Sequence, residues 1–579
     1  MEKRSTKDSR VSLIVAMMII TFAVFIVRLF YIQIISHAKY TEMAYKEQVK
    51  KLTIPAKRGL IYAMDGTTPT PVVLNTTVYK MFIDPVVVKN QGAVKAALFE
   101  LAPNNVLQPD KLDDKFAKTG SRYQIVADNL TREQAKGLKE KRLSGVGFQE
   151  VSKRVYPEGT LASQVLGFVN AEGGQYGVEG GLNDRLSGQD GLLESVTDIA
   201  QVPLTIGEQN THIPAKDGDN IVLTLDKNIQ AYVEKIVLES VDRFGADEIS
   251  VLVINPNNNS IMALANYPSF DPSEYQKVSD VSLFNNRVTM VPYEPGSVIK
   301  TLTMAMGLNE NIITPTTTFY NTDRVKVADR QVVNAIKGHT GNVTMQDAMR
   351  YSLNTGMIEI LSRAGGGQIN SKSINLLYKY FYDDFGLGQQ TGIEIPEVSG
   401  IVVPPTSHEG NAVRYSNMAF GQGMNVTMLQ TAAAFAGVIN EGKYYRPTIV
   451  GGVIDSNGEF QSAMSSEPAR QIVTPETSYT LRKMVSEVRS SDSTGWSDPA
   501  GFEIGGKTGT SETLRDGKYI KTQTIASYLG YGGGVRPEYV IMVQVGAKDR
   551  YMVGGAVAAP IFNEISNWLI QYLKIPPKE

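Results

Sequence analysis

The sequence predicts an α/β protein in three parts: one N-terminal membrane-crossing helix, a mixed α+β module, and a larger unit built on one sheet flanked by helices. Three observations carry this. Residues 11–35 are almost continuously apolar behind a basic leader, long enough to cross a bilayer. Residues 40–210 mix short β-branched and aromatic runs with frequent turn residues, as in a small α+β module. Residues 215–579 read as strands, then helices, then strands and a closing helix, the order expected of a sheet with helices packed on it.

At 579 residues, 42% hydrophobic and 20% charged, the chain can build at least one large core. Its net charge of −2 argues against nucleic-acid binding, which calls for a basic excess. The absence of cysteine removes disulfides, zinc–thiolate sites and Cys nucleophiles together. The four histidines (His37, His212, His339, His408) form no HExxH pattern and there is no G-x-S-x-G elbow, so neither a zincin nor an α/β-hydrolase triad is expected.

In chain order, Lys3, Arg4, Lys7 and Arg10 precede the apolar stretch and predict a cytoplasmic tail over 1–10, with a membrane helix over 11–35. Arg28 would snorkel to one interface. A cleaved signal peptide is the alternative, with Ser36-His37-Ala38 as a small-x-small site, but the apolar stretch is long for one. In the 40–210 module, strands are expected at Gly59–Tyr62 and Tyr79–Ile83, a polar helix at Asp128–Lys141, and a Gly-rich run at Gly173–Gly191. Nothing catalytic stands out there. A polar linker over 208–220 leads to a strand at Asn220–Leu225, a helix at Ile229–Ser240 and a hairpin of Ile249–Ile254 with Ser260–Ala265. Later come an Ala-rich helix at Thr427–Val438, strands at Ile525–Tyr531 and Tyr539–Gly546, and a closing helix at Ala558–Leu573.

The chemistry centres on Glu294-Pro-Gly-Ser-Val-Ile-Lys300. Pro295 and Gly296 end a loop, and the apolar run after them reads as a buried helix. Ser297 then sits in its first turn with Lys300 one turn on, on the same face. A serine needs a neighbour to take its proton, and a lysine serves if burial lowers its pKa. The helix N-terminus adds N–H groups for an oxyanion. The four-residue pattern is weak alone, since Ser36-His-Ala-Lys39 also fits it. Order supplies the specificity: Ser352-Leu-Asn354 and Lys507-Thr-Gly-Thr510 follow, whereas the decoy Lys118-Thr-Gly120 precedes the serine and Ser373-Ile-Asn375 is less well placed.

These three motifs in this order are the signature of β-lactamases and penicillin-binding proteins. The wider chain resembles a class B penicillin-binding protein, most like the division-specific type. The resemblance includes Arg28-Leu-Phe-Tyr, Arg154-x-Tyr-Pro-x-Gly159, Tyr176-Gly-Val-Glu179, Tyr293-Glu-Pro-Gly-Ser297, Phe385-Gly-Leu-Gly388, Gly421-Gln-Gly423 and Ala558-Ala-Pro-Ile-Phe562. It departs at Ala63 and Met64, where the family usually has Asp and Arg. It departs again at Asn259 in place of a turn glycine, and at Ser511-Glu512.

The resemblance implies a membrane anchor, a non-catalytic pedestal over 40–210 and a serine transpeptidase domain over 215–579 with a central antiparallel sheet. It implies a single-pass protein of the cell membrane, with an extracytoplasmic D,D-transpeptidase that cross-links peptidoglycan stem peptides and is inhibited by β-lactams. Ser297 would be acylated with Lys300 as base; Ser352 would relay a proton, and Asn354 would bind the donor amide and orient Lys300. Lys507 would supply positive potential, and Thr508 and Thr510 would hold the donor carboxylate. The N–H groups of Ser297 and Thr510 would form the oxyanion hole, and Gly509 would keep the strand clear for substrate. No metal or cofactor is expected, and strand polymerisation would fall to a membrane-embedded polymerase acting with division proteins. The rival expectations are an elongation-type transpeptidase, a D,D-carboxypeptidase or class D-like β-lactamase, and a β-lactam sensor or scaffold without turnover.

Overall fold

The computed structural model describes residues 6–40, 43, 49–196, 211–490, 498–515 and 518–578. Residues 1–5 of the expected tail and 208–210 of the expected linker lie outside them. The described residues form two compact units, 1–58 with 187–218, and 59–186 with 219–579.

In the first unit, helix Thr6–Phe30 continues into a π-helical segment Tyr31–Ile35. Val11–Ile35 spans 25 residues at a mean hydropathy of 2.7 with its apolar side chains exposed. At 1.5 Å per residue that is about 37 Å, more than the roughly 30 Å hydrocarbon layer. The helix is long and apolar enough to cross a membrane. The rest of the unit is an antiparallel sheet of Val49–Ile54, Gly191–Val196 and Thr211–Ile213.

The second unit is built on two sheets. One runs Phe460–Ser462, Val450–Ile454, Asn220–Asp226, Ile61–Asp65, Thr68–Ile83, Gln124–Leu130, with Val146–Val155 also on Thr68–Ile83. Ile61 pairs in parallel with Ile221, so this sheet runs across the 210/215 boundary read from the sequence. The polar stretch expected to be helical from Asp128 begins as strand: Gln124–Leu130 is extended, and Thr131 caps a helix Arg132–Glu140 through a capping box with Gln134.

The other sheet is wholly antiparallel. Its strands are β1 (Glu248–Asn255), β2 (Ser260–Tyr267), β3 (Glu503–Arg515), β4 (Lys518–Gly533) and β5 (Pro537–Gly546), ordered β2-β1-β5-β4-β3. Val251, Val253, Ile541 and Val543 face one core, beneath helices α1 (Lys227–Phe244) and, at the C-terminus, Gly554–Tyr572. Leu252, Ile254, Val540 and Met542 face the other core, which holds Lys300–Asn309, Met428–Ile439 and Pro475–Ser490. Both faces are covered, which is why these strands read as continuous apolar runs rather than alternating ones. Asn259 closes the β1–β2 turn at φ +52°; asparagine tolerates this left-handed conformation where most residues would not, so the replaced glycine costs the turn little.

Candidate active site

Pro295 leads into a single 3₁₀ turn, Gly296–Ile299, and α2 (Lys300–Asn309) continues from it. In a 3₁₀ turn residues i and i+3 eclipse, so Lys300 lies directly along the helix from Ser297. Val298, Ile299 and Leu302 are fully buried, and their burial seats the turn in the core. Ser297 remains half-buried.

Lys300 is 1% exposed. Its Nζ donates to the Ser352 carbonyl at 2.6 Å and to the Ser352 hydroxyl at 3.1 Å. Burial, helped by the nearby Lys507 ammonium, pushes its pKa well below the ordinary lysine value. Ser352 adopts a left-handed φ of +54° between helices Met345–Arg350 and α3 (Asn354–Ala364). That conformation is strained for a residue with a side chain, and it turns both oxygens of Ser352 toward Lys300. Asn354 opens α3, and its Nδ2 donates to the Val333 carbonyl at 2.8 Å. The expected contact from Asn354 to Lys300 is not among the bonds formed by the described residues; Ser352 orients the lysine instead.

Strand β3 is the sheet's edge, paired only with β4. It lies against the Ser297 turn: a Cβ on Gly296 would come within 3.0 Å of the Thr510 carbonyl. In an extended strand a residue's N–H and C=O point the same way, so the Thr510 N–H also faces this turn. Side chains alternate along β3. Lys507, 3% exposed, and Ser511, 2% exposed, point inward. Thr510 points to the N-terminus of α4 (Gly554–Tyr572), where Gly554 N–H donates to its Oγ1 at 3.2 Å, and Thr508 turns its methyl that way while its Oγ1 accepts from Lys507 Nζ at 3.3 Å.

Gly509 therefore faces inward as well, which corrects the reason expected for it. Its Cβ would lie 2.3 Å from Ser527 Oγ and 3.1 Å from Val298 Cγ1. The glycine lets β3 close onto β4 and the Ser297 turn.

A second loop braces the turn. Gly296 N–H donates to the Gly421 carbonyl at 2.9 Å, and Tyr293 and Val426 exchange both backbone bonds at 3.0 Å. A Cβ on Gly421 (φ +92°) would collide with the Gly296 carbonyl at 2.0 Å. Glu294, 8% exposed, accepts through Oε1 from Gly423 N–H at 2.7 Å and Tyr519 OH at 2.9 Å. Sequence reasoning quoted Glu294 and Gly421–Gly423 without a role and missed Tyr519, Ser527 and Val333. The first two carried a signal in the motif itself; the other three carry none, because their relevance lies in what they touch.

Lys300 thus joins the α2 turn to the Ser352 turn, Lys507 lies close enough to act on it, and Thr510 lies against the Ser297 turn, while Asn354 is held on Val333. Among the described residues no cluster of His, Asp or Glu suited to a metal ion occurs.

Residues 249–567 match the penicillin binding protein transpeptidase domain, and residues 53–223 match the penicillin-binding protein dimerisation domain. The chain is 30% identical over 569 residues to stage V sporulation protein D of Bacillus subtilis, covering 97% of this chain and 85% of that one. It is 26% identical to the peptidoglycan D,D-transpeptidase FtsI of Buchnera aphidicola, covering 95% and 92%. The solved structure of penicillin binding protein 2X from Streptococcus thermophilus superposes with a TM-score of 0.70 at 22% identity, over 91% of this chain and 80% of that one. These matches lead to one conclusion: the chain belongs to the penicillin-binding protein transpeptidase family, with the dimerisation domain of its class B members.

Proposed function

We propose that this protein is a serine D,D-transpeptidase that cross-links peptidoglycan stem peptides and is acylated by β-lactams. The observation that carries the reading is the buried, charge-suppressed Lys300 held by Ser352 one turn from Ser297. Such an amine is a base rather than a structural cation.

Ser297 Oγ attacks the carbonyl of the penultimate D-Ala while the neutral Lys300 amine takes the hydroxyl proton. The N–H groups of Ser297 and Thr510 stabilise the oxyanion. Collapse breaks the peptide bond, and the departing D-Ala nitrogen receives a proton through Ser352. An amine from a second stem then attacks the ester, forms the cross-link and returns the proton to Ser297. Thr508 and Thr510, beside the positive end of α4, receive the donor carboxylate, with Lys507 adding positive potential. Asn354 holds the donor amide. The division into a pedestal over 40–210 and a catalytic domain over 215–579 is part of the same reading.

The basic residues before Val11 favour a cytoplasmic N-terminus and support a single-pass arrangement with the catalytic unit outside the cytoplasm. The likeness to FtsI supports a septal role alongside a membrane-embedded polymerase and division proteins. Likeness over 97% of the chain to a protein named for stage V sporulation favours a second setting, spore formation, for the same reaction; localisation of a fluorescent fusion through growth and sporulation separates the two. The chemistry itself is tested by labelling the full chain with a fluorescent penicillin beside Ser297→Ala, followed by a chase. Stable label absent from the variant supports the transpeptidase. Rapid loss of label would indicate a hydrolase, and no label a scaffold.

A further inference from the structure

The hairpin Arg324–Val327 with Arg330–Val333 carries no family motif, yet its end reaches the Ser352–Asn354 turn. Val332 is buried and packs into the core, while Val333 is 47% exposed. Its carbonyl nevertheless accepts from Asn354 Nδ2 at 2.8 Å. The next residue explains how.

Asn334 is 1% exposed and uses every hydrogen-bonding position of its carboxamide. Nδ2 donates to Asn321 Oδ1 at 3.2 Å and Asp323 Oδ1 at 3.1 Å. Oδ1 accepts from the Thr355 N–H at 3.1 Å and faces the Thr355 hydroxyl at 3.2 Å, whose single proton it shares with Asn321 Oδ1. Its own N–H donates to the Asp323 carbonyl at 3.0 Å. Asn321 and Asp323 are buried and tied in turn, Asn321 Oδ1 to the Thr355 hydroxyl at 2.9 Å and Asp323 Oδ2 to Gly338 N–H at 2.7 Å. One buried amide thus joins the hairpin's end to the residue that follows Asn354.

We propose that Asn334 is a positioning residue for the transpeptidase site: it pins the hairpin to the first turn of α3 so that the Val333 carbonyl holds the Asn354 amide and sets which way that carboxamide faces the donor peptide. The inference rests on the reading of Ser297 and Asn354 given above. A buried network in which every member is satisfied is rigid and specific in geometry, and a carboxamide held at its nitrogen cannot rotate away. Exposed Val333 alone would not hold it.

The test is a double-mutant cycle on the acylation rate of the full chain by a fluorescent penicillin, using Asn334→Ser, Asn354→Ala and the pair. Asn334→Ala is the harsher companion, and thermal melts by circular dichroism confirm that each variant folds. In the otherwise native chain Asn334→Ser slows acylation by about ten- to a hundredfold, the range a misplaced catalytic contact costs. In the Asn354→Ala background it slows acylation no further, although the melting temperature falls equally in both. An equal loss of rate in both backgrounds overturns the proposal, because Asn334 then acts through general stability. A crystal structure of Asn334→Ser decides the point without activity: the Asn354 amide leaves the Val333 carbonyl, or the proposal fails. If the native chain takes no label, the transpeptidase reading fails on its own and the crystallographic result still judges Asn334.

Discussion

Lys300 Nζ is anchored to Ser352, at 2.6 Å from its carbonyl and 3.1 Å from its hydroxyl, while the Ser297 carbonyl accepts from the Lys300 N–H and the Ser297 hydroxyl makes no hydrogen bond among the described residues. In the proposed reaction this holds the base in place before substrate arrives and leaves the Ser297 hydroxyl untethered for attack. The hydroxyl of Ser352 touches the base rather than the nucleophile, which suits a group that passes a proton on.

Acylation is expected to rise with pH through the titration of Lys300. Burial and Lys507 both favour the neutral amine, so the midpoint falls below the ordinary lysine value of about 10.4. The unfolded chain keeps this proton up to that value and the folded chain releases it earlier, so between the two stability also rises with pH. Lys507→Ala removes one of the two causes and moves the limb upward without abolishing it. Lys300→Arg abolishes it, since a guanidinium stays charged. The check is the pH profile of the penicillin acylation rate; a limb at the ordinary lysine value would sink the assignment of Lys300 as base.

Gly509→Ala places a Cβ 2.3 Å from Ser527 Oγ and 3.1 Å from Val298 Cγ1. Overpacking of this kind costs about 1–3 kcal/mol, so the melting temperature and the acylation rate both fall. Ser527→Ala in the same chain restores part of both, because it removes the nearest clash. A Gly509→Ala protein of native stability with weakened substrate binding alone would return the glycine to its expected role.

Glu294→Ala leaves the Gly423 N–H without its acceptor, at a cost of about 1–3 kcal/mol, and loosens the nucleophile turn from the β3–β4 hairpin. Glu294→Gln keeps the Oε1 acceptor and is expected to acylate at nearly the native rate. Burial, against the bonds from Gly423 and Tyr519, raises the Glu294 pKa. The folded chain then holds this proton above the unfolded value of about 4.3, so the native protein loses stability as pH rises through the raised value, and Glu294→Gln flattens that loss. Thermal melts across pH compare the two; parallel curves would rule out the buried acid.

Arg154 and Glu179 form a buried pair at 2.6 Å, 5% and 0% exposed at their side chains. Arg154 also donates to the Gly59 carbonyl at 2.7 Å and to Asn75 Oδ1 at 2.8 Å. Glu179→Ala strands the guanidinium in the core and is expected to cost about 3–5 kcal/mol, whereas Arg154→Met with Glu179→Leu costs much less. Urea unfolding of the three chains measures this, and a double variant as unstable as the single one would contradict it.

Much of the protein is legible in residue order alone. Val11–Ile35 announces itself by length and hydropathy, Ser297 and Lys300 by a spacing that any helical turn converts into contact, and Lys507–Thr510 by its place after them. These are local properties, and local rules of period and chemistry suffice to read them. Thr68–Ile83 was only partly legible, since Pro69 and Pro71 obscure a strand that its neighbours nonetheless complete.

The sequence by itself determined the apolar N-terminal segment, the order of the three motifs and the family they belong to. Only the tertiary structure decided that Ser352 orients Lys300, that Gly509 faces inward, that strand Ile61–Asp65 joins Asn220–Asp226, that Asn334 bonds Thr355 and that Tyr519 bonds Glu294. The reason is physical. A motif records which groups are present, but the depressed Lys300 pKa, the collision at Gly509 and the Glu294–Tyr519 bond arise from burial and from contact between distant residues. Those exist only once the core has closed.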